Sequence, residues 1–186
     1  MFIQTETTPN PNTLKFLPGE IVMPQGTADF RTAQEGERSP LARRLFRLTG
    51  VHGVFFGRDF VSITKDEAKD WAILKPLILG LVMDHFSQND PQLFDEEATG
   101  GGSHGDADLS NPVIKQIVDL LDKRIRPAVA MDGGDIQFVD FTDGVVMLQM
   151  RGACAGCPSS TMTLKAGIEN MLRHYVPEVV EVRAVQ

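Results

Sequence analysis

The sequence predicts an α/β (α+β) protein built as two small two-layer domains joined by a flexible, glycine-rich linker. Three observations carry that prediction. Composition breaks once, at residues 95–108, where alanine is the one apolar side chain type beside a run of glycines. The stretch after the break reads α-β-β-α-β. The stretch before it mixes β-prone segments with apolar stripes at helical spacing. At 186 residues the chain has room for one domain or two small ones, since domains commonly run to roughly 100–150 residues. The break decides for two: residues 1–94 and 109–186, with 95–108 as the linker. A stretch of that make-up cannot offset the entropy of ordering itself by burying surface, and so reads as a tether. It has neither a GK[ST] nor a GxGxxG spacing that would make a phosphate cradle.

In the first domain, Phe2 to Thr7 is β-prone and stops at Pro9-Asn10-Pro11-Asn12, a turn in which each proline pushes its predecessor out of the helical region. Thr13 to Leu17 alternates as a strand. Ser39-Pro40 is a helix N-cap followed by proline at the first helical position. Leu41, Leu45 and Leu48 follow as its stripe, with Arg43, Arg44 and Arg47 off the stripe as a solvated face. Val51 to Phe56 and Phe60 to Thr64, joined across Gly57-Arg58-Asp59, read as a hairpin. Leu74, Leu77, Ile78, Leu81 and Val82 form a helical stripe that starts or kinks at Pro76, and Trp71 is a core anchor.

In the second domain, Ser110-Asn111-Pro112 caps a helix with the stripe Ile114, Ile117, Val118, Leu121 and Ile125, expected to end before Pro127. Gly133-Gly134 closes an irregular turn. Ile136 to Phe141 and Val145 to Met150 flank Thr142-Asp143-Gly144, where Asp-Gly marks a tight hairpin turn, with Val146, Leu148 and Met150 on the core face. Gly152 to Gly156 is a loop. Pro158 opens a helix lined by Leu164, Ile168, Met171, Leu172 and Tyr175. Pro177 stops it, and Val179 to Val182 makes the last strand.

Bulk properties narrow the function. Hydrophobic residues are 42% and charged residues 23%, which is globular rather than disordered or collagen-like. With 18 Lys+Arg against 25 Asp+Glu and a net charge of −7, the chain lacks the basic surface that phosphate backbones require, so nucleic acid is not the expected partner. The longest apolar run, Leu77 to Met83, falls far short of the roughly 20 residues of a membrane span. Two cysteines cannot staple a secreted scaffold. The N-terminal residues lack the basic start of a signal peptide and the arginine-rich make-up of a transit peptide. A soluble protein of a reducing compartment is expected: cytoplasmic, or an organellar mature form, which would read the same.

The chemistry converges on Arg151-Gly152-Ala153-Cys154-Ala155-Gly156-Cys157-Pro158. The spacing lets both sulfurs point at one centre, and the glycines let the backbone wrap. The helix start at Pro158 is expected to favour thiolate. Four readings fit the pair. A redox dithiol of thioredoxin type normally lies early in its domain, whereas only 29 residues follow Cys157 here. Half a zinc site lacks a second knuckle, and His52, His85, His104 and His174 are scattered singly. Half an iron–sulfur site would need the other two thiolates from a second copy, with the cluster on a two-fold axis. Two buried small hydrophobes would leave the glycines and the proline unexplained.

The segments Met131-Asp132-Gly133-Gly134-Asp135, Asp143-Gly144-Val145-Val146 and Gly152 to Thr161 resemble the C-terminal domain of NifU. Thr8 to Phe16 is similar to the N-terminal domain of NFU proteins. The resemblance covers both domains in the family's order and leaves only the linker unmatched; no U-type scaffold domain with its own cysteines is present, so it points to NFU carriers rather than to full NifU. It implies a non-enzymatic iron–sulfur cluster scaffold and carrier. Cys154 and Cys157 would hold a [4Fe–4S] or [2Fe–2S] cluster shared between two chains, a homodimer when loaded. The partners implied are an upstream cluster donor and apo iron–sulfur clients. A thiol-disulfide oxidoreductase using the same dithiol is the competing function.

Overall fold

The computed structural model describes residues 2–94, 107–156 and 158–185. The chain divides into two compact units, Met1–Gly100 and Gly101–Gln186. Residues 95–106 of the expected linker lie outside the described residues.

The first unit is a five-stranded antiparallel sheet, in the order β1-β2-β5-β4-β3, with helices packed on it. Its elements are β1 (Gln4–Thr7), β2 (Thr13–Leu17), β3 (Ala28–Phe30), α1 (Ala33–Gly36), α2 (Pro40–Phe46), β4 (Val51–Phe56), β5 (Val61–Lys65) and α3 (Trp71–Ser87). Phe16, Phe30, Phe56 and Ile63 from the sheet pack with Leu41 and Leu45 of α2 and Ile78 and Val82 of α3 in one buried cluster. Ser39 caps α2 as expected, accepting the Ala42 N–H at 3.2 Å.

Several expectations are corrected. β3 and α1, three and four residues long, have no periodic signal and were not anticipated. β2 is buried on both faces rather than alternating, because Lys15 lays its stem on the sheet, its ammonium 4.8 Å over the Phe60 ring and 3.3 Å from Glu6. α3 begins at Trp71, capped by Asp70, and carries Pro76 inside it. Its buried positions are Leu74, Ile78, Val82, His85 and Phe86, whereas Leu77 points outward. Arg44 is no solvated bystander: it bridges α2 to Asp84 at 3.1 Å and Asp90 at 2.9 Å. Trp71 is half-buried against the core and donates its indole N–H to the Pro11 carbonyl at 3.1 Å.

The second unit comprises α4 (Pro112–Leu120), a π-helical turn (Leu121–Ile125), α5 (Arg126–Met131), β6 (Gly134–Thr142), β7 (Val145–Gly152), α6 (Pro158–Tyr175) and β8 (Glu181–Val185). The sheet order is β6-β7-β8, antiparallel then parallel. The predicted α-β-β-α-β order holds, with Val146, Leu148 and Met150 on the buried face. Asp143 and Gly144 take φ of 52° and 78° at the hairpin turn, the left-handed pair that Asp-Gly favours.

The first helix does not stop before Pro127. It widens into the π-turn, where the Arg126 N–H donates to the Leu121 carbonyl five residues back. The wider turn absorbs a residue that can neither donate to nor fit against the carbonyl of an ordinary α-turn. The last strand begins two residues later than expected, because Val179 N–H bonds back to Val176 and Val180 N–H to Gly144 in the preceding turn.

His85 generates a testable consequence. It is fully buried in α3, with Nε2 3.1 Å from Gln92 Oε1 and Nδ1 3.9 Å from Asp90. Burial holds it below the ordinary 6.5, outweighing the help that Gln92, Asp90 and Asp84 give the charged form; Arg44 adds to the lowering. Its folded value is depressed, so below about 6.5 the unfolded chain takes up a proton that the folded unit refuses, and stability falls. Urea unfolding followed by Trp71, the single tryptophan, should show stability dropping from pH 7.5 to 5.5 with a slope no steeper than about 1.4 kcal/mol per pH unit. His85→Gln should flatten that slope, and an unchanged slope would refute the assignment.

Candidate functional site

The cysteine loop is built by the meeting of β6, β7 and α6. β7 ends at Gly152, whose φ of 62° bends the chain into a turn closed by the Ala155 N–H on the Gly152 carbonyl at 3.1 Å. Gly156, φ 78°, carries the chain onward to α6. Both are left-handed positions that a side chain would strain. Opposite Gly152 in the sheet register stands Gly134.

Gly134 decides how deep Cys154 can sit. A Cβ there would lie 2.6 Å from Cys154 Sγ, 2.7 Å from the Arg151 carbonyl and 3.1 Å from Cys154 N. Without it the thiol settles against β6 and is buried. The Ala153 N–H bonds to the Gly133 carbonyl at 3.1 Å, and the Thr161 hydroxyl in the first part of α6 donates to the Cys154 carbonyl at 3.0 Å. The loop is thus fastened to the strand below it and to the helix after it.

The neighbouring residue, Asp135, is buried and locked to Arg126 by two bonds, Nε–Oδ1 at 2.8 Å and Nη2–Oδ2 at 2.9 Å. Arg126 Nη1 also donates to Asp122 at 3.1 Å. This fork, placed by the π-turn, ties the helix to the first residues of β6 directly beneath the cysteine.

The electrostatics correct the expectation of a ready thiolate at Cys154. Burial, with Asp132 and Asp135 nearby, pushes its thiol up to about 12. The start of α6 does not overcome that, so Cys154 is a protonated thiol near neutral pH, and a metal must displace the proton to bind. Cys157 lies outside the described residues. Arg151 is held by Gln137 and, at 3.4 Å, by Gln149.

The histidines stand apart from the loop in the contacts they make. His52 faces Asp66 at 3.4 Å, His85 is buried in α3 and His174 packs edge-on to Tyr175; His104 is outside the described residues. Among the described residues no group of three or more His, Cys, Asp or Glu could hold a metal ion. A thiol donor in a cradle that a Cβ would fill suits a soft or borderline metal such as iron or zinc. Sequence reasoning missed Arg126 and Asp135, which follow no binding-site spacing. It read Gly134 as a turn residue and as part of the family-like segment, not as the surface against which Cys154 packs.

Two family models match this chain. Residues 3–89 match "Scaffold protein Nfu/NifU N terminal" and residues 117–183 match "NifU-like domain". The chain is also 50% identical over 187 residues to the human "NFU1 iron-sulfur cluster scaffold homolog, mitochondrial", an alignment covering 100% of this chain and 72% of that protein. The chain belongs to the NFU family. Another NFU-type relative, the Arabidopsis thaliana "NifU-like protein 4, mitochondrial", is 49% identical over 181 residues, covering 96% of this chain and 64% of that protein. A solution structure of a NifU-like protein from Saccharomyces cerevisiae is similar at 31% identity and a TM-score of 0.46, over 52% of this chain and 87% of that one. The human and Arabidopsis relatives are named as mitochondrial, which lends no support to the cytoplasmic expectation and agrees with its organellar alternative.

For this NFU chain the packing at Gly134 can be tested without touching a cysteine. Gly134→Ala should destabilise the second unit by about 1–3 kcal/mol through overpacking and raise the alkylation rate of Cys154 by iodoacetamide, resolved by peptide mass spectrometry. Unchanged stability and alkylation would show that the close approach is absent. Arg126→Met, which takes the guanidinium away from the buried Asp135 carboxylate, should cost about 2–3 kcal/mol, read by amide exchange in β6 and β7. Adding Asp135→Asn should recover part of that loss.

Proposed function

We propose that this chain is an iron–sulfur cluster scaffold and carrier. Two copies would each supply Cys154 and Cys157, hold a [4Fe–4S] cluster between them and pass it to apo-proteins. The observation that carries the reading is the Cys154 cradle: a thiol set against a residue that must lack a side chain, with its stretch of loop bonded to β6 and to α6, in a chain of the NFU family. The cluster is cargo here, and the chain's part is to bind and release it.

Four thiolates around a [4Fe–4S]²⁺ core leave a net charge of about −2, which the starts of the two α6 helices favour. A cluster on a loop at a subunit boundary is open to stepwise replacement of its ligands by a client's thiolates. No side chain need act as acid or base, so the function requires no enzymatic step. The raised Cys154 value disfavours that thiol as the attacking group of a disulfide exchange, which needs a standing thiolate, whereas iron can displace the proton. Free thiols and a labile cluster call for a reducing compartment, as the cytoplasm and the mitochondrial matrix both are.

By its composition, the 95–108 segment acts as a tether between the domains, keeping a client held by one within reach of the other.

Anaerobic reconstitution with iron and sulfide tests the proposal. The expected product shows broad visible absorption, about four iron per dimer and a cluster-dependent shift from monomer to dimer. Cys154→Ser and Cys157→Ser should each abolish stable loading. A colourless monomer that reduces protein disulfides would overturn the carrier reading, and normal loading of either variant would overturn the ligand assignment.

A further inference from the structure

The first unit carries a groove that the cysteine loop does not use. β1 is the outermost strand of its sheet, paired to β2 along one edge. Alternate residues of such a strand turn their N–H and C=O groups away from the sheet, ready to pair with another chain. Beside this edge lies a groove of about 430 Å³, lined by the consecutive residues 2–6 and by Lys75 and Leu79 of α3. A strand and a helix thus line the same open groove.

The edge is not blunted in the usual ways. β1 contains no proline, and its pairing with β2 runs without a bulge. Its acidic residue, Glu6, is turned to Lys15 on the neighbouring strand, 3.3 Å away. The pleat decides which side chains meet α3. Ile3 packs in the core cluster with α3, and Thr5 stands opposite buried Phe16, so positions 3 and 5 share the helix side while Glu6 faces the other way. A strand added to this edge inherits the alternation and sends every second residue under α3.

The helix wall has a matching chemistry. From Trp71 to Met83, Lys75 is the sole charged residue, and among the described residues it has no ion pair or hydrogen bond. Leu79 supplies an apolar wall, and Phe2 stands 81% exposed at the mouth.

We propose that the free edge of β1, flanked by α3, takes up an extended segment of a partner protein as a sixth strand, with apolar side chains on Leu79 and a carboxylate on Lys75. Main-chain bonds along β1 would supply the affinity, and the alternate side chains the selectivity. A second copy of this chain fits less well. Its own β1 is Gln-Thr-Glu-Thr, with no apolar side chain for the groove. The inference stands on the first unit alone and does not depend on the cluster reading.

The test uses the full-length, cluster-free chain and a synthetic nine-residue peptide, Thr-Val-Thr-Val-Thr-Glu-Thr-Val-Thr, which places valines and one glutamate on a single face. The expected result is saturable binding, with amide shift changes gathered on residues 2–7 and 75–79. Lys75→Glu should weaken this peptide about fivefold and strengthen its Glu-to-Lys counterpart by a similar factor. A counterpart with proline at its centre, which cannot complete the pairing, should not bind. No saturable binding at millimolar peptide, shifts gathered elsewhere, or affinities indifferent to the charge exchange would overturn the proposal. So would a cluster-free dimer whose β1 amides are protected in the absence of peptide.

Discussion

The distance between β6 and the cysteine loop is set by what is missing at position 134. Any side chain there would occupy the space of the Cys154 sulfur and of the Arg151 carbonyl, so the thiol could not rest on the strand. Other features of the second unit serve that contact. Gly152 turns the chain over Gly134, its partner in the register. Thr161 holds the Cys154 carbonyl from the helix side. Arg126 grips Asp135 and so fixes the strand one residue beyond the contact. Arg126 reaches Asp135 from the end of the π-turn, and that turn lies directly before Pro127. A proline in the first helix is thereby linked, through one salt bridge, to the seat of a thiol on the opposite side of a hairpin.

This chain shows which features a single sequence discloses. Caps and turns were legible because their causes are local: Ser39-Pro40 at α2, Asn111-Pro112 at α4 and Asp143-Gly144 in the hairpin each appear where the residues dictate. The buried stripe of α4 was legible for the same reason. The continuation of that helix past Pro127 was not, since a proline ordinarily ends a helix and the π-turn that rescues it has no sequence mark. Leu77 was misplaced because α3 is apolar on nearly every side, which leaves periodicity nothing to contrast. β3 and α1 are too short to carry a period.

At the site, the cysteine pair was legible from spacing and glycines, and the family from the residues around it. The state of Cys154 was not. A helix start beside a thiol argues for thiolate, and only three-dimensional placement reveals burial and the company of Asp132 and Asp135. Those two carboxylates are separated from Cys154 by a hairpin, and no spacing along the chain announces them.

The same carboxylates bear on what a carrier must do. A resident cofactor is held best where the protein neutralises it, whereas cargo must be bound firmly enough to survive transit and loosely enough to leave. A thiolate-ligated cluster is anionic. Asp135 is compensated by its two bonds to Arg126, but Asp132 stands exposed near Cys154 and joins Asp135 in opposing negative charge on the sulfur. Burial opposes it as well. On the proposed function these forces act against the loaded state and in favour of the protonated, empty one. The start of α6 acts in the opposite sense. On that reading the packing against Gly134 gives Cys154 a preformed seat, while the electrostatic setting opposes the charged, loaded sulfur. That opposition suits a protein whose ligand has to be given up to the next thiolate it meets.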